Sequence, residues 1–394
     1  MNVGIFTDTY YPEINGVANS AYELKQGLED LGHQVYVFTV THPAVKNKTK
    51  GVFRVTSVPC LLIKERRMGC PYTRSWMKKI AGLKLDIVHT QTEFMIGQLG
   101  RRAAQIYGIP HLHTYHTIYE DYTHYLKMPG NEYLKGVIRM ASKKYCNSAD
   151  GVIAPTEKVS ELLKEYGVNR TVWEIASGIN LDKFIDYDRI ASERIRKQYG
   201  ITDDQRVLIS IGRLSREKNL AEVIDRFAGM HLTEPDTVLM IVGDGPERFN
   251  LEQRSRSLGI ESRVIFTGMV PWSEIENFYG AGDIFVSAST SETQGLTYLE
   301  ALACGKPLLV RNDPCLKNVL RHKENGFGYD SEGEFIKGYR YIIETITAKE
   351  RFAADEMQWF GQSRFAGQVE EVYRHTMREK WRLKNGFSEL AGTA

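Results

Sequence analysis

Arg206-Val207-Leu208-Ile209-Ser210-Ile211-Gly212 is an apolar run of strand length closed by a glycine. Arg213-Leu214-Ser215-Arg216-Glu217-Lys218-Asn219 follows it and leads into a helical segment. The same pattern returns downstream over 236–243, 264–268, 283–287 and 307–310. Most of these apolar runs end in Gly or Ser, and a helical stretch follows most of them. Continuous apolar strands alternating with helices mark a parallel sheet covered on both faces. The alternation also runs upstream. Residues 2–7 read as a buried strand, 17–31 as a helix stopped at Gly32-His33, and 34–40 as the next strand. Residues 86–89, 110–114 and 151–154 read as further strands, with a helix over 95–107. These patterns predict an α/β protein with two parallel sheets.

A chain of 394 residues is too long for one typical core and suits two domains. The expected division is 1–185 and 186–365, with the polar stretch 182–205 as the linker. An amphipathic helix over 366–383 is expected to pack back on the first domain, ahead of a loose tail. Residues 1–185 hold 23 Lys and Arg against 17 Asp and Glu, although the whole chain is only +2. That favours an anionic surface or ligand on the first domain. No RNA- or DNA-binding motif accompanies the charge, so nucleic acid is not expected. The first residues lack the basic and apolar regions of a signal peptide. No apolar run of about 18 residues could span a bilayer. Cys60, Cys70, Cys146, Cys304 and Cys315 are scattered without metal spacing and read as reduced cytosolic thiols.

Open parallel sheets bind ligands beyond the carboxyl ends of their strands, and the unusual residues fall there. After 283–287 come Ser289-Thr290-Ser291-Glu292-Thr293-Gln294-Gly295-Leu296-Thr297-Tyr298-Leu299-Glu300 and then Ala301-Leu302-Ala303-Cys304-Gly305-Lys306-Pro307. Gly295 permits a tight turn into a helix whose first N–H groups suit a phosphate or an oxygen-rich sugar. Glu292 in the loop and Glu300 in the helix can accept hydroxyls from one extended ligand. The plainer alternative is one capping and one solvated glutamate. After 206–211, Arg213 and Lys218 can grip a diphosphate, Arg as a fork and Lys as a point charge, and both suit this better than Arg216. Fixed cations there stabilise an anionic leaving group as its charge grows. Val242-Gly243-Asp244-Gly245-Pro246-Glu247 is a turn. In the first half, Gly16 leaves room for backbone N–H groups to approach a ligand. His116 opens an aromatic, acidic segment that includes His113, Tyr119, Asp121 and His124.

These segments resemble the family-four retaining glycosyltransferases of the GT-B fold, over nearly the whole chain. The hallmarks matched are the E-x7-E segment with Glu-Ala-Leu-Ala-x-Gly-x-Pro and the Gly-Arg-Leu-x-x-x-Lys loop. The resemblance implies two Rossmann-like domains facing each other across a cleft, with a nucleotide sugar mainly on the second and the acceptor on the first. It assigns Glu292 to sugar hydroxyls, Glu300 to the ribose, and the backbone of Gln294, Gly295 and Leu296 to sugar and phosphate. Arg213 and Lys218 take the diphosphate. Gly243 shapes the wall beside the nucleotide, Met269 and Val270 read the base, Gly16 approaches the diphosphate, and His116 contacts the transferred sugar. No enzymic nucleophile stands out, so retention implies front-face attack assisted by the leaving phosphate. No metal cluster or permanent cofactor is expected, although Mg2+ could assist without leaving a motif.

His89-Thr90-Gln91-Thr92-Glu93-Phe94, together with His116-Thr117-Ile118-Tyr119-Glu120-Asp121-Tyr122, is similar to the bacterial α-monoglucosyldiacylglycerol synthases. Those transfer glucose from UDP-glucose to the 3-hydroxyl of 1,2-diacylglycerol. That implies Tyr119 and Asp121 on the acceptor side and a cytoplasmic enzyme lying peripherally on an anionic inner membrane face. The expected docking stretch is 64–84. There Arg66, Arg67, Lys78 and Lys79 would meet headgroups, while Trp76, Met77 and Ile80 would enter the interface. Arg311-Asn312-Asp313-Pro314-Cys315 departs from the family pattern. A glycolipid, polysaccharide or soluble acceptor stays open, as do a nucleotide-sugar epimerase of the same fold and a non-enzymatic binder. The E-x7-E segment and its Gly-Lys-Pro continuation speak against the epimerase.

Overall fold

The structure, a computed structural model, describes residues 1–60, 67–70, 74–126, 131–346 and 357–391. The chain divides into two units. One comprises Met1–Gly178 and the segment from Gln362 onward, the other Ile179–Gly361.

The strands of the first unit are β1 (Asn2–Phe6), β2 (Gln34–Val40), β3 (Val52–Val55), β4 (Ser57–Pro59), β5 (Arg67–Gly69), β6 (Ile87–Thr90), β7 (His111–Thr114), β8 (Gly151–Ala154) and β9 (Val172–Glu174). β4 and β5 pair with each other antiparallel. The other seven form one parallel sheet in the order β3-β2-β1-β6-β7-β8-β9. Helices α1 (Gly16–Asp30), α2 (Arg74–Gly82), α3 (Met95–Tyr107), α4 (Asn131–Cys146) and α5 (Glu157–Glu165) belong to this unit. β6, β7 and β8 are buried at every position, which is why they read as unbroken apolar or neutral runs. The side chain of Asn15 starts α1 by accepting from the Ala18 N–H at 3.0 Å.

The second unit holds β10 (Arg206–Ile211), β11 (Thr237–Val242), β12 (Val264–Gly268), β13 (Ile284–Ser287), β14 (Leu308–Arg311) and β15 (Gly326–Tyr329). They form a parallel sheet in the order β12-β11-β10-β13-β14-β15. Its helices are α6 (Leu181–Ile185), α7 (Arg189–Gln198), α8 (Leu220–His231), α9 (Arg248–Ser257), α10 (Ile275–Ala281), α11 (Leu296–Ala303) and α12 (Glu332–Tyr341). Strand alternation splits the core. Val207, Ile209, Met240 and Phe285 face one layer, and Leu208, Leu239, Ile241 and Ile284 face the other.

The expected linker over 182–205 is instead folded into the second unit as α6 and α7. Phe184 is buried in that core, 5.9 Å from the Tyr279 ring centroid, and Arg196 reaches Asp283 at 3.2 Å. Few apolar residues anchor these two helices, so their charged outer faces dominate the composition. The chain enters and leaves this unit side by side, with the Ile179 N–H donating to the Phe360 carbonyl at 2.9 Å.

The last helix, α13 (Gln362–Ala391), packs against α1 in the first unit. Phe365, Ala366, Val369, Val372 and Tyr373 join a core with Val3, Ile5, Leu24 and Leu28. A Cβ on Gly27 would stand 2.6 Å from the Ala366 Cβ, so the close crossing of the two helices requires glycine there. Beneath it, the buried Tyr373 hydroxyl meets His89 Nδ1 at 2.7 Å, and His89 Nε2 meets the Thr114 hydroxyl at 2.7 Å. Tyr373→Phe leaves a buried imidazole nitrogen without its partner and should cost about 1–3 kcal/mol. Native-state hydrogen exchange of the β6 and α13 amides should then be faster. Unchanged protection would show that this contact does not hold the helix to the sheet.

Candidate active site

Each sheet reverses its strand order once, between β1 and β6 in the first and between β10 and β13 in the second. Loops leaving the carboxyl ends of such neighbours diverge and open a crevice. In the second unit the crevice is built on glycine. Gly212 and Gly243 hold φ of +153° and +134°, and a Cβ on Gly243 would lie 1.9 Å from the Gly212 carbonyl oxygen. Backbone bonds zip the adjoining loops together: Leu214 N–H to the Asp244 carbonyl at 3.0 Å, and Gly243 N–H to the Gly268 carbonyl at 3.0 Å.

Beside this zipper is a small hollow lined by Gly212, Arg213, Lys218, Ser287, Glu292 and Thr297 among others. Lys218 Nζ donates to Glu292 Oε1 at 2.5 Å across it. The Ser291 hydroxyl donates to the Glu217 carbonyl at 3.2 Å and Asn219 Nδ2 to the Ala288 carbonyl at 3.4 Å, so the two loops are stitched at several points. Gly295, at φ +74°, starts α11 with no side-chain cap on its first turn. Gln294 is buried and Leu296 is half-buried against the core. Cation, carboxylate and helix start converge here, which suits an anion linked to a polyhydroxyl group. Arg311, in the segment that departs from the family pattern, donates to Glu222 Oε2 at 2.5 Å. Glu222 also takes Asn219 Nδ2 at 2.7 Å, so Arg311 braces the turn after Lys218.

Met269 is exposed and Val270 half-buried just beyond β12. Glu300 is buried within α11 and accepts the Tyr279 hydroxyl at 2.7 Å. Burial pushes its carboxyl up to about 7, against the Tyr279 hydrogen bond and the nearby Lys183 ammonium.

In the first unit, Gly16 opens α1 on the exposed surface, and a Cβ there would meet nothing within 4 Å. Asp8 caps α3 from the loop after β1, accepting from the Ile96 N–H at 3.0 Å and the Thr92 hydroxyl at 2.6 Å. His116 Nε2 meets Gln91 Oε1 at 2.6 Å, and desolvation pushes its imidazole down to about 3, leaving the ring neutral at physiological pH. Asp121 is exposed. Tyr119 donates to Glu93, whose other oxygen meets His113 Nε2 at 3.1 Å. Burial and Glu93 together hold the Tyr119 phenol well above its usual range. Glu93 lies within the matched segment 89–94, which assigned it no role of its own. Its signal is an acid three residues beyond the end of β6, at the reversal of the sheet.

The basic stretch does not present the face expected of it. Trp76 and Met77 pack on the core and Ile80 is buried, because α2 covers Phe38 and Val40. These side chains are therefore not free to enter a membrane interface. Arg67 binds the Ser57 hydroxyl and carbonyl, both at 2.8 Å, bracing the β4–β5 pair. Lys78 and Lys79 are exposed, the latter with its ammonium 3.9 Å from the Phe53 ring centroid. Residues 61–66, Arg66 among them, lie outside the described residues, as does the His124 side chain.

Residues 14–183 match the family model described as Glycosyltransferase Family 4, and residues 191–374 the one described as Glycosyl transferases group 1. The alpha-monoglucosyldiacylglycerol synthase of Streptococcus pneumoniae is 38% identical over 95% of this chain and 85% of its own. The chain belongs to this glycosyltransferase family. It is a hexosyltransferase with the two-domain α/β fold of the GT-B class. The enzyme of the same name from Acholeplasma laidlawii is 32% identical over 87% of this chain and 88% of its own. Among solved structures, Anabaena HepE in complex with UDP-glucose superposes with a TM-score of 0.74 at 20% identity, covering 95% of this chain and all of the other. Among the described residues, no helix is long and apolar enough to cross a membrane, and no three His, Cys, Asp or Glu side chains form a group able to hold a metal ion.

The position of Glu300 sets a pH dependence for this glycosyltransferase. Its carboxyl titrates near 4.5 in the unfolded chain and near 7 in the fold, so the native state binds the proton more tightly between those values. Stability should then fall as pH rises through that window. Glu300→Gln should show a smaller drop in thermal midpoint between about pH 5 and about pH 8 than the unmodified protein. An identical pH dependence would place the titration elsewhere.

Proposed function

We propose that this hexosyltransferase moves glucose from UDP-glucose to the 3-hydroxyl of 1,2-diacylglycerol with retention, working peripherally on the cytoplasmic face of the membrane. The observation that carries the donor half is the Lys218–Glu292 contact at the strand reversal. At rest the ammonium is occupied by the carboxylate. An incoming diphosphate takes Lys218 and Arg213 for itself and leaves Glu292 to the hydroxyls of the sugar. Glu300 receives the ribose, and the backbone at Met269 and Val270 lies against the base. Gly16 admits the diphosphate to the start of α1. The neutral imidazole of His116 takes part in a hydrogen bond to the transferred sugar and adds no charge.

The anomeric C–O bond to phosphate breaks while the acceptor oxygen bonds to the same face. The acceptor proton passes to the departing phosphate oxygen, so no enzymic nucleophile is needed. Charge grows on the leaving UDP, where Lys218 and Arg213 stabilise it more than in the bound donor. Support for the lipid acceptor comes from the two synthases at 38% and 32% identity and from the excess positive charge of the first half.

Lys218→Ala and Arg213→Ala should each lower kcat/KM by about 2–4 kcal/mol, roughly 30- to 1000-fold, with the fold intact by circular dichroism. Near-normal turnover in both would remove the diphosphate assignment. The acceptor is tested with labelled UDP-glucose and vesicles containing diacylglycerol, alongside glycolipid and oligosaccharide acceptors. α-Glucosyldiacylglycerol with release of UDP is the expected product. Label passing only to a sugar acceptor would overturn the lipid reading.

A further inference from the structure

Helix α4 turns an apolar stripe to the outside. Tyr133, Val137 and Met140 are 81%, 38% and 63% exposed. Spaced i, i+4, i+7, they fall within an arc of about 60° at 100° per residue. Lys144 continues the stripe one turn on, with Lys143 beside it, both exposed. The opposite face is firmly seated. The Ser142 hydroxyl meets the Tyr115 hydroxyl at 3.1 Å, the Tyr145 hydroxyl donates to the Thr92 carbonyl at 3.3 Å, and Cys146 is buried with Val152 and Leu163. Arg139 forks onto Glu120 through two bonds of 2.7 Å, which ties the helix to the turn that starts at Tyr119. Phe94 is 56% exposed, and its ring packs edge-on to Tyr119 at 5.5 Å.

We propose that α4 is the element that docks this enzyme on an anionic lipid surface, with Tyr133, Val137 and Met140 entering the interface and Lys143 and Lys144 at headgroup level. The placement rests on the lipid-acceptor reading above. Charge selects the occupant. From residue 132 to 144 the helix carries Lys135, Arg139, Lys143 and Lys144 against Glu132 alone, which suits phosphate-bearing lipids. α2 supplies charge but spends Trp76, Met77 and Ile80 in the core, so of these two basic helices α4 is the one with apolar side chains to insert. The hydrogen bonds on its inner face join α4 directly to the segments carrying Tyr115, Thr92 and Glu120. A lipid held by the stripe is therefore joined through this one helix to the framework that holds Glu93, His116 and Tyr119.

The test is co-sedimentation of the whole protein with phosphatidylglycerol-rich vesicles that contain no diacylglycerol. Tyr133→Ser, Val137→Ser and Met140→Ser combined should weaken binding by about tenfold or more, with UDP binding unchanged. Lys143→Gln with Lys144→Gln should weaken it by about fivefold per lysine at low salt and have little effect at high salt. Sedimentation of the triple variant equal to that of the unmodified protein would overturn the proposal, as would failure of the unmodified protein to bind at all. So would a self-association in sedimentation velocity that the triple variant loses while its vesicle binding is unchanged. Because these vesicles carry no acceptor, intact docking with no glucose transfer to added diacylglycerol would refute the acceptor reading and leave the docking surface standing.

Discussion

Lys218 leaves the carboxyl end of β10 and Glu292 leaves that of β13, and they meet at 2.5 Å although 74 residues separate them in the chain. The contact exists because the sheet is parallel and reverses its order at these strands, which makes neighbours of β10 and β13 with β11 and β12 set aside. Its net contribution to stability is small. The lysine side chain is 30% exposed, and ion pairs reached by water contribute about 0–1 kcal/mol. A weak resting pair suits the proposed donor site, where a doubly charged diphosphate would take the ammonium without unfolding anything. The stability of the site resides elsewhere, in the backbone bonds among the loops at 212–214, 243–247 and 268, which only glycine at 243 and 245 allows to approach so closely.

Burial governs the protonation of the other polar groups. Desolvation, with His113 acting in the same direction, keeps the His116 ring neutral, and at Glu300 it raises the carboxyl to about 7 against the Tyr279 hydrogen bond and the Lys183 ammonium. A neutral imidazole exchanges hydrogen bonds without favouring an anion. A carboxyl that ionises near neutral pH gains from any hydroxyl donor that reaches it. In the first unit the polar groups are satisfied by one another. His89 is held by Tyr373 and Thr114, which ties β6 and β7 to α13, and Glu93 is held by His113 and Tyr119.

Much of this was legible in the amino acids. Residues 206–211, 237–242 and 34–40 form strands where the apolar runs stand, and the glycine-rich loops follow them as their composition implies. Strand order was not legible, because periodicity reports which face is buried and nothing about which strand lies alongside. The stretch 182–205 misled because few apolar residues, Phe184 in α6 and Ile195 in α7 among them, anchor two helices whose outer faces are charged. The stretch 74–80 misled in the opposite sense. Its mixture of basic and aromatic residues has the composition of an interfacial helix, yet Trp76 and Met77 complete the core under β2. The stripe on α4 is diluted by Gly136, Arg139 and Ala141, and only the exposure of each residue separates it from an ordinary buried face. Lys218 and Glu292 were each recognisable by motif, but their contact, and the Glu93–His113 pair, join positions too far apart in the chain for local pattern to connect.

The most direct test of the donor site is a crystal structure with UDP bound. In that complex Lys218 Nζ should leave Glu292 and lie within hydrogen-bonding distance of a diphosphate oxygen, with the Glu292 carboxylate freed toward the position of the sugar. UDP bound at any other site, or bound here with the Lys218–Glu292 contact unbroken, would contradict it.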